Sequence, residues 1–563
     1  MSNRVRSKIK VLLVAILLSS IAPVFSSCKK GPEHLRPRLV VVIVIDQFRF
    51  DFLEKFNSSF GSDGFRRLID HGAFFANANY NYVPTYTAPG HAAVFTGSTP
   101  AYNGIVGNSW YDRDSGQEKV MVSDDRASLV TSYGIESSTR TTKPASPRSL
   151  IGTTIGDQMR LSNGFRSKVV AISIKDRAAV LPGGKDANGA YFFDASSGSF
   201  VSSDYYFKEL PKWVVKFNSQ RGPDRFFGKT WDRAASPESY ATTQAVTTVI
   251  SGSPLGRHLP YRVDGGVQSA GEEFYKAFVY TPFASEYLAD FAEAAVEGES
   301  LGTDEYPDLL AVSFSTPDLV GHAYGPDSEE VEDTYIRLDG VIADFLNYLD
   351  QKVGLSHTVI AMTGDHGVSP VPQLLSLNKF DAQTVDPEKC KDAVNSALSA
   401  KFGSGKWVLD IVNEQVYLDR NLIAQFKADP AEAERLTGEA LLGVPGIARY
   451  YTRTQIMNGQ MSDGPMARRV ANGFNPQRSG DVWLITRPFT FLSEGGVATT
   501  HGSPYDYDTH VPVILFGPGI THGRYYGECS PSDIAPSLAA LLHVEPPPNV
   551  VGRVLSECIA GEN

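Results

Sequence analysis

The segment LVVVIVI at 39–45 constrains the fold more than any other part of the chain. Seven consecutive aliphatic side chains leave no polar face. A strand built from them must be covered on both sides, as in the parallel sheets of α/β proteins. The runs at 308–315 and 358–363 repeat the pattern, and helical segments alternate with them. The clearest helix is predicted over 328–349, where Val331, Tyr335, Leu338, Ile342, Phe345 and Leu349 keep the spacing of one apolar face. Asp327 with Glu330 three residues on predicts a capping box at its start. Further strands are expected at 168–174, 482–486 and 511–516, and a late helix at 534–542. The stretches 185–280 and 380–480 read as insertions into a single domain spanning 36–555, the second of them cap-like.

The acids fall at the ends of the three buried runs. Asp46 directly follows the first, Asp318 lies just beyond the second, and Asp365 with His366 lies just beyond the third. In an open α/β sheet the carboxyl ends of the strands form the ligand crevice. A lone aspartate there is an ordinary turn or cap residue, whereas three on one edge point to a shared site. His322 stands four residues after Asp318, and His501 lies in THGSPYD. Carboxylates with imidazoles and no thiolates suit a catalytic divalent metal of the zinc type with an open coordination position. His91 and His510 are close to these motifs and are assigned supporting roles.

Thr87, in PTYTAPGHAAVFTG, precedes the helix-like segment 91–95 and is the candidate nucleophile. Free N–H groups at a helix start favour a bound phosphate, and metal coordination would lower the hydroxyl pKa enough to give an attacking alkoxide. Taken alone, Thr87 reads as a helix cap; the metal-type cluster is what raises it to a nucleophile.

Charge narrows the partner class. With 52 Lys and Arg against 63 Asp and Glu, the chain carries a formal charge of -11, which repels polyanions, so nucleic-acid binding is not expected. Residues 1–27 hold Arg4, Arg6, Lys8 and Lys10, then an apolar run at 11–18 and small residues, the pattern of an export signal. Cys28 after Phe-Ser-Ser resembles a lipoprotein cleavage box and offers a lipid anchor. The other thiols, Cys390, Cys529 and Cys558, have no metal-like spacing and read as packing residues or one disulfide.

Taken in order, the motifs VIVIDQFRFDFL, NYVPTYTAPGHAAVFTG, GIVGNSWY, ISIKDRAAVLPGG, STPDLVGHAYGP, TGDHGVSP and THGSPYDYDTHVPVILFG resemble the alkaline phosphatase superfamily, in its type I phosphodiesterase/nucleotide pyrophosphatase family. The resemblance covers about 38–550. It implies a three-layer α/β sandwich with a mostly parallel central sheet and inserted cap segments. It also implies two zinc ions, one held by Asp318, His322 and His501, the other by Asp46, Asp365, His366 and the Thr87 oxygen. Asn108 in GNSW and the pair Lys175 and Arg177 in KDR look like the threonine-nucleophile monoesterase branch, where the matching residues hold nonbridging phosphoryl oxygens. A monoester dianion concentrates more charge on those oxygens than a diester, so two cations and an amide favour it. Read without the resemblance, Lys175 and Arg177 are solvated charges after a strand. Lys185 in LPGGK departs from the family's usual histidine.

The resulting expectation is an extracytoplasmic, monomeric, zinc-dependent alkaline phosphatase that acts on small phosphate monoesters through a phosphothreonine. The competing expectations are a phosphodiesterase or nucleotide pyrophosphatase on the same metals, and a surface lipoprotein that binds phosphorylated ligands without turnover.

Overall fold

A computed structural model describes residues 37–136, 142–240, 255–256, 259–493 and 495–560. The expected export signal and Cys28 lie outside the described residues. Four buried strands lie side by side at the centre of an eleven-stranded sheet. They are β1 (Leu39–Ile45), β2 (Val169–Ser173), β3 (Asp308–Phe314) and β4 (Thr358–Gly364), in the spatial order β4-β1-β3-β2. All three pairings between them are parallel. Antiparallel pairing begins at the flanks, where Val513–Phe516 runs against β4 and Ser199–Ser203 against Gly189–Asp194.

Alternation along β1 shows why the sequence must make a layered fold. Leu39, Val41, Ile43 and Ile45 enter one core, with aromatic residues such as Phe291 and Tyr335 from the helices on that side. Val40, Val42 and Val44 enter the other, against Val94, Phe95, Ile534 and Leu538. Successive side chains of a strand point to opposite faces, so a strand apolar at every position is satisfied only between two helical layers.

Four helices carry site residues or support them: α1 (Thr87–Thr96), α2 (Asp176–Gly183), α3 (Thr316–Tyr324) and α4 (Glu329–Lys352). The long helix predicted at 328–349 is α4, but its cap differs from the expectation. Ser328, not Asp327, is the N-cap and accepts the Val331 N–H. Asp327 pairs instead with Lys55 at 2.7 Å. A serine one residue later offers the same capping oxygen, so the cap moved by one position.

The strand at Val482–Thr486 forms as expected, yet it lies outside the central sheet. It joins Val408–Val412, Gln415–Leu418 and Ile447–Thr452 in a separate four-stranded antiparallel sheet with its own apolar core. Apolar patterning identifies a strand and not its partner. Cys390, Cys529 and Cys558 are free and buried, so they pack and form no disulfide. Among the described residues no helix is long and apolar enough to cross a membrane.

Candidate metal centre

Parallel pairing in register delivers the site. Ile45 pairs with Phe314 on one side and Gly364 on the other, so the residues that follow emerge together at the carboxyl edge. Asp46 leaves β1, Asp365 and His366 leave β4, Asp318 sits in the first turn of α3 beyond β3, and Lys175 follows β2 at the head of α2. Neighbouring strands are about 5 Å apart, so four adjacent strand ends span a site of small-molecule size.

Two groups of possible metal ligands result: Asp318, His322 and His501, and Asp46, Asp365 and His366. Within each group the donor atoms lie within 4.8 Å of one another. The three imidazoles are set in the same way. The Nδ1 of His322 lies 2.7 Å from the Thr499 carbonyl, that of His366 2.8 Å from the Gly367 carbonyl, and that of His501 2.7 Å from the Thr85 carbonyl. A carbonyl can only accept, so each Nδ1 carries the proton and each Nε2 presents a lone pair to the site.

Those lone pairs meet carboxylate oxygens. His366 Nε2 is 3.3 Å from Asp46 Oδ1 and 3.5 Å from Asp365 Oδ2, while His322 Nε2 is 3.1 Å and His501 Nε2 3.6 Å from Asp318 Oδ1. Asp46 Oδ1 and Asp365 Oδ2 are buried without a hydrogen-bond partner. Acceptor facing acceptor in a dry pocket is costly unless a proton or a metal cation lies between them. The residues therefore fit a pair of divalent ions.

Burial opposes a charge on His322 and on His366, but the neighbouring carboxylates, Asp318 for the first and Asp365 with Asp46 for the second, outweigh it and raise both imidazoles, so each group of residues attracts positive charge, whether a proton or a metal ion. Burial and the adjacent Asp46 carboxylate push Asp365 well above the usual carboxylate range. Burial and Asp318 oppose ionisation of Asp46 too, but Lys175 and His366 outweigh them and hold it low. Burial and the two other imidazoles push His501 well below the ordinary histidine range.

Thr87 opens α1, with Tyr86 as the extended N-cap. Its Oγ1 lies 3.4 Å from His366 Nε2, beside the second group. The amide of Ala88 donates to Asn108 Oδ1 at 3.0 Å, which turns the two N–H donors of that side chain elsewhere. Lys175 is largely shielded, its side chain 9% exposed, and its charge is paired within the site. Its Nζ is 2.7 Å from Asp46 Oδ2 and also bonds Asp318 Oδ2, touching one carboxylate of each group. The Arg177 Nε is buried without a partner, and its Nη1 makes only a 3.9 Å contact with Asp176. The ten residues singled out from the sequence thus lie at this edge of the sheet, in α1, α2 and α3, and in the segments packed on them.

His91 backs the site from inside α1. Its Nδ1 is 2.8 Å from the Thr87 carbonyl and 3.3 Å from Asp365 Oδ2, and its Nε2 is 2.7 Å from Ser313 Oγ. Burial lowers its pKa to about 4, so it is a neutral donor at Nδ1. His510 stands farther back, stacked on Phe50 at 4.2 Å.

Sequence reasoning missed Tyr86, Asn413 and Glu414. Asn413 and Glu414 form the two-residue turn between Val408–Val412 and Gln415–Leu418, both with left-handed φ, 51° and 59°. The Glu414 carboxylate accepts the Tyr86 hydroxyl at 3.0 Å, and Tyr86 lies edge-on to His501 at 5.2 Å. Asn413 Nδ2 donates to the Ser109 carbonyl at 2.5 Å, where a Cβ on Gly107 would leave only 2.1 Å. The Asn at the first turn position marks a hairpin, but nothing local tells what its tip touches.

The family model for type I phosphodiesterase/nucleotide pyrophosphatase matches residues 40–504. Alkaline phosphatase PhoV of Synechococcus elongatus is 37% identical over 93% of this chain and 93% of its own length. Alkaline phosphatase PafA of Elizabethkingia meningoseptica is 34% identical over 93% of this chain and 95% of its own. A Myroides odoratus protein named calcium-transporting ATPase is 34% identical over 96% of this chain and 98% of its own. The crystal structure of PafA superimposes with a TM-score of 0.84, covering 93% of this chain and 99% of PafA. A PafA variant of the same fold is substituted at a threonine, an asparagine, a lysine and an arginine. Its Thr–Asn and Lys–Arg intervals equal those between Thr87 and Asn108 and between Lys175 and Arg177. With its fold and nearly its whole length matched, the chain belongs to the type I phosphodiesterase/nucleotide pyrophosphatase family of the alkaline phosphatase superfamily.

Proposed function

We propose that this chain is an exported alkaline phosphatase that hydrolyses phosphate monoesters through a phosphothreonine, with two zinc ions. The observation that carries the reading is the pairing of two ligand groups with a helix-start threonine, whose Oγ1 lies 3.4 Å from His366 Nε2. Asp318, His322 and His501 would hold one ion; Asp46, Asp365, His366 and the Thr87 oxygen would hold the other. Mixed imidazole and carboxylate donors suit zinc, whereas calcium takes oxygen ligands, so calcium transport is not carried over from the Myroides relative's name. When bound, the ions supply positive charge to the attacking and leaving oxygens of an in-line displacement.

The chain's own residues do the rest. Thr87 Oγ1 bonds to phosphorus as the bond to the leaving alkoxide breaks, and water then attacks the phosphothreonine to free phosphate and restore the hydroxyl. Asn108 offers its amide N–H groups to the nonbridging oxygens. The Lys175 ammonium has three N–H donors, two of which serve Asp46 and Asp318, leaving one for substrate. Arg177 adds a guanidinium with an uncommitted Nε. The spacing match with the substituted positions of the PafA variant supports giving these four residues the work. Two cations and an amide around the nonbridging oxygens favour a monoester dianion over a diester. The segment 380–480 acts as the cap, reaching the site through the Asn413–Glu414 turn. Export rests on residues 1–27.

The test compares p-nitrophenyl phosphate with its bis ester on purified protein, with zinc content measured in parallel. The monoester should turn over faster and two zinc ions should be found per chain. Faster diester turnover would move the chain to the phosphodiesterase branch, and absence of turnover on either would favour the binding lipoprotein. Thr87→Ala should lose more than about a thousandfold in kcat while phosphate still binds; unchanged hydrolysis would reject Thr87 as nucleophile.

A further inference from the structure

Gln47, the residue after Asp46, was not singled out by any motif, yet it touches both ligand groups. Its backbone N–H donates to Asp365 Oδ1 at 3.1 Å, and its side-chain Nε2 donates to Asp318 Oδ1 at 2.8 Å. Asp365 belongs to one group and Asp318 to the other. The Gln47 carbonyl accepts the Tyr335 hydroxyl at 3.1 Å, which fixes the residue from behind. It is 2% exposed.

Two features show that this arrangement is held against local cost. Gln47 has φ 68°, a left-handed conformation that is unfavourable for a residue with a side chain and is kept only where the surroundings enforce it. The helix α3 also passes so close that a Cβ on Gly321 would lie 1.7 Å from Gln47 Oε1. Gly321 sits between Asp318 and His322 in sequence, so the glycine that admits the carboxamide belongs to the helix that carries two of the ligands. Since a carboxylate only accepts, the carboxamide must turn its NH2 to Asp318.

We infer that Gln47 is a positioning residue that ties the two metal groups together, its side chain setting the Asp318 carboxylate and its backbone setting that of Asp365. By occupying Asp365 Oδ1 it leaves Oδ2, the oxygen without a hydrogen-bond partner, to face the site. The two contacts separate by chemistry. A side-chain substitution removes the bond to Asp318 and keeps the backbone bond to Asp365. The loss should therefore fall on the Asp318, His322 and His501 group.

The inference rests on the two-ion reading, and the experiment keeps their failures apart. Zinc-loaded wild type, Gln47→Ala and Gln47→Leu are titrated with a chelator of known affinity, and ions retained per chain are counted. Leucine fills the space beside Gly321 without donating, which separates loss of the hydrogen bond from loss of packing; melting temperatures report whether each variant is folded. Both variants should release one ion at about 10- to 100-fold higher free zinc than wild type, with the second ion's affinity unchanged. Equal weakening of both sites, no weakening, or weakening in Gln47→Ala that Gln47→Leu restores would overturn the inference while leaving the two-ion reading intact. A wild-type chain that retains fewer than two ions would overturn that reading and this inference together.

Discussion

Replacing Gly90 with alanine isolates the distance between Thr87, the proposed nucleophile, and its neighbours. Gly90 lies in α1 three residues after Thr87, and a Cβ there would sit 2.2 Å from the Asp365 carbonyl oxygen and 2.7 Å from the Asp365 Cβ. Ordinary contact begins at 3.4 Å, so α1 and the turn after β4 must separate by about 1 Å. The opposing atom is backbone and cannot swing aside. Alanine improves helix propensity by about 1 kcal/mol, while overpacking a tight interior costs about 1–3 kcal/mol, so the net loss of stability should be modest, about 0–2 kcal/mol. The effect on rate should be larger, because Thr87 rides on α1 and His366 on the opposing turn, now 3.4 Å apart at Oγ1 and Nε2. A displacement of this size costs about a hundredfold in kcat. The assay is kcat on p-nitrophenyl phosphate at saturating substrate and zinc, with thermal melts alongside. Gly340→Ala is the control. Gly340 is exposed in α4 with nothing within 4 Å of an added Cβ, so alanine there should stabilise by up to about 1 kcal/mol and leave kcat unchanged. A Gly90→Ala enzyme within threefold of wild type would refute the claim that α1 and the β4 turn are held at a catalytically critical spacing.

Burial raises the pKa of Glu414 to about 7, above its ordinary 4.5, so its ionisation opposes folding as pH climbs through that window. The unfolded chain loses this proton first; the sign is therefore a stability that falls between about pH 4.5 and 7 and then levels off. Glu414→Gln keeps an acceptor for Tyr86 and should stabilise the protein above pH 7 by up to about 3 kcal/mol, with the advantage vanishing below pH 4.5. A melting temperature equal to wild type at pH 8 would contradict it. Combining Lys175→Ala with Arg177→Ala should lower monoester turnover far more than diester turnover; equal losses would remove these cations from recognition of the dianion.

The central fold was legible because its signal is local and repeated. Three buried apolar runs, each followed within four residues by an aspartate, can be satisfied only by a sheet covered on both faces, and the parallel register then brings those aspartates to one edge. The candidate ligands Asp46, Asp318, Asp365 and His366 were thus legible in the chain alone, and the motif blocks supplied Asn108, Lys175 and Arg177. What the sequence could not supply were relations between chemically ordinary residues. Val482–Thr486 is as apolar as a central strand, but its partners are Gln415–Leu418 and Ile447–Thr452, and an apolar pattern carries no address. The pairing of Lys175 with Asp46 and Asp318, the approach of Glu414 to Tyr86 and the bonds from Gln47 to both ligand groups each join segments far apart in the chain. Residue type and spacing determine which groups can bind a metal or attack phosphorus; which oxygen of Asp46 and of Asp365 is left without a partner depends on hydrogen bonds across hundreds of residues, and only the packed chain sets those.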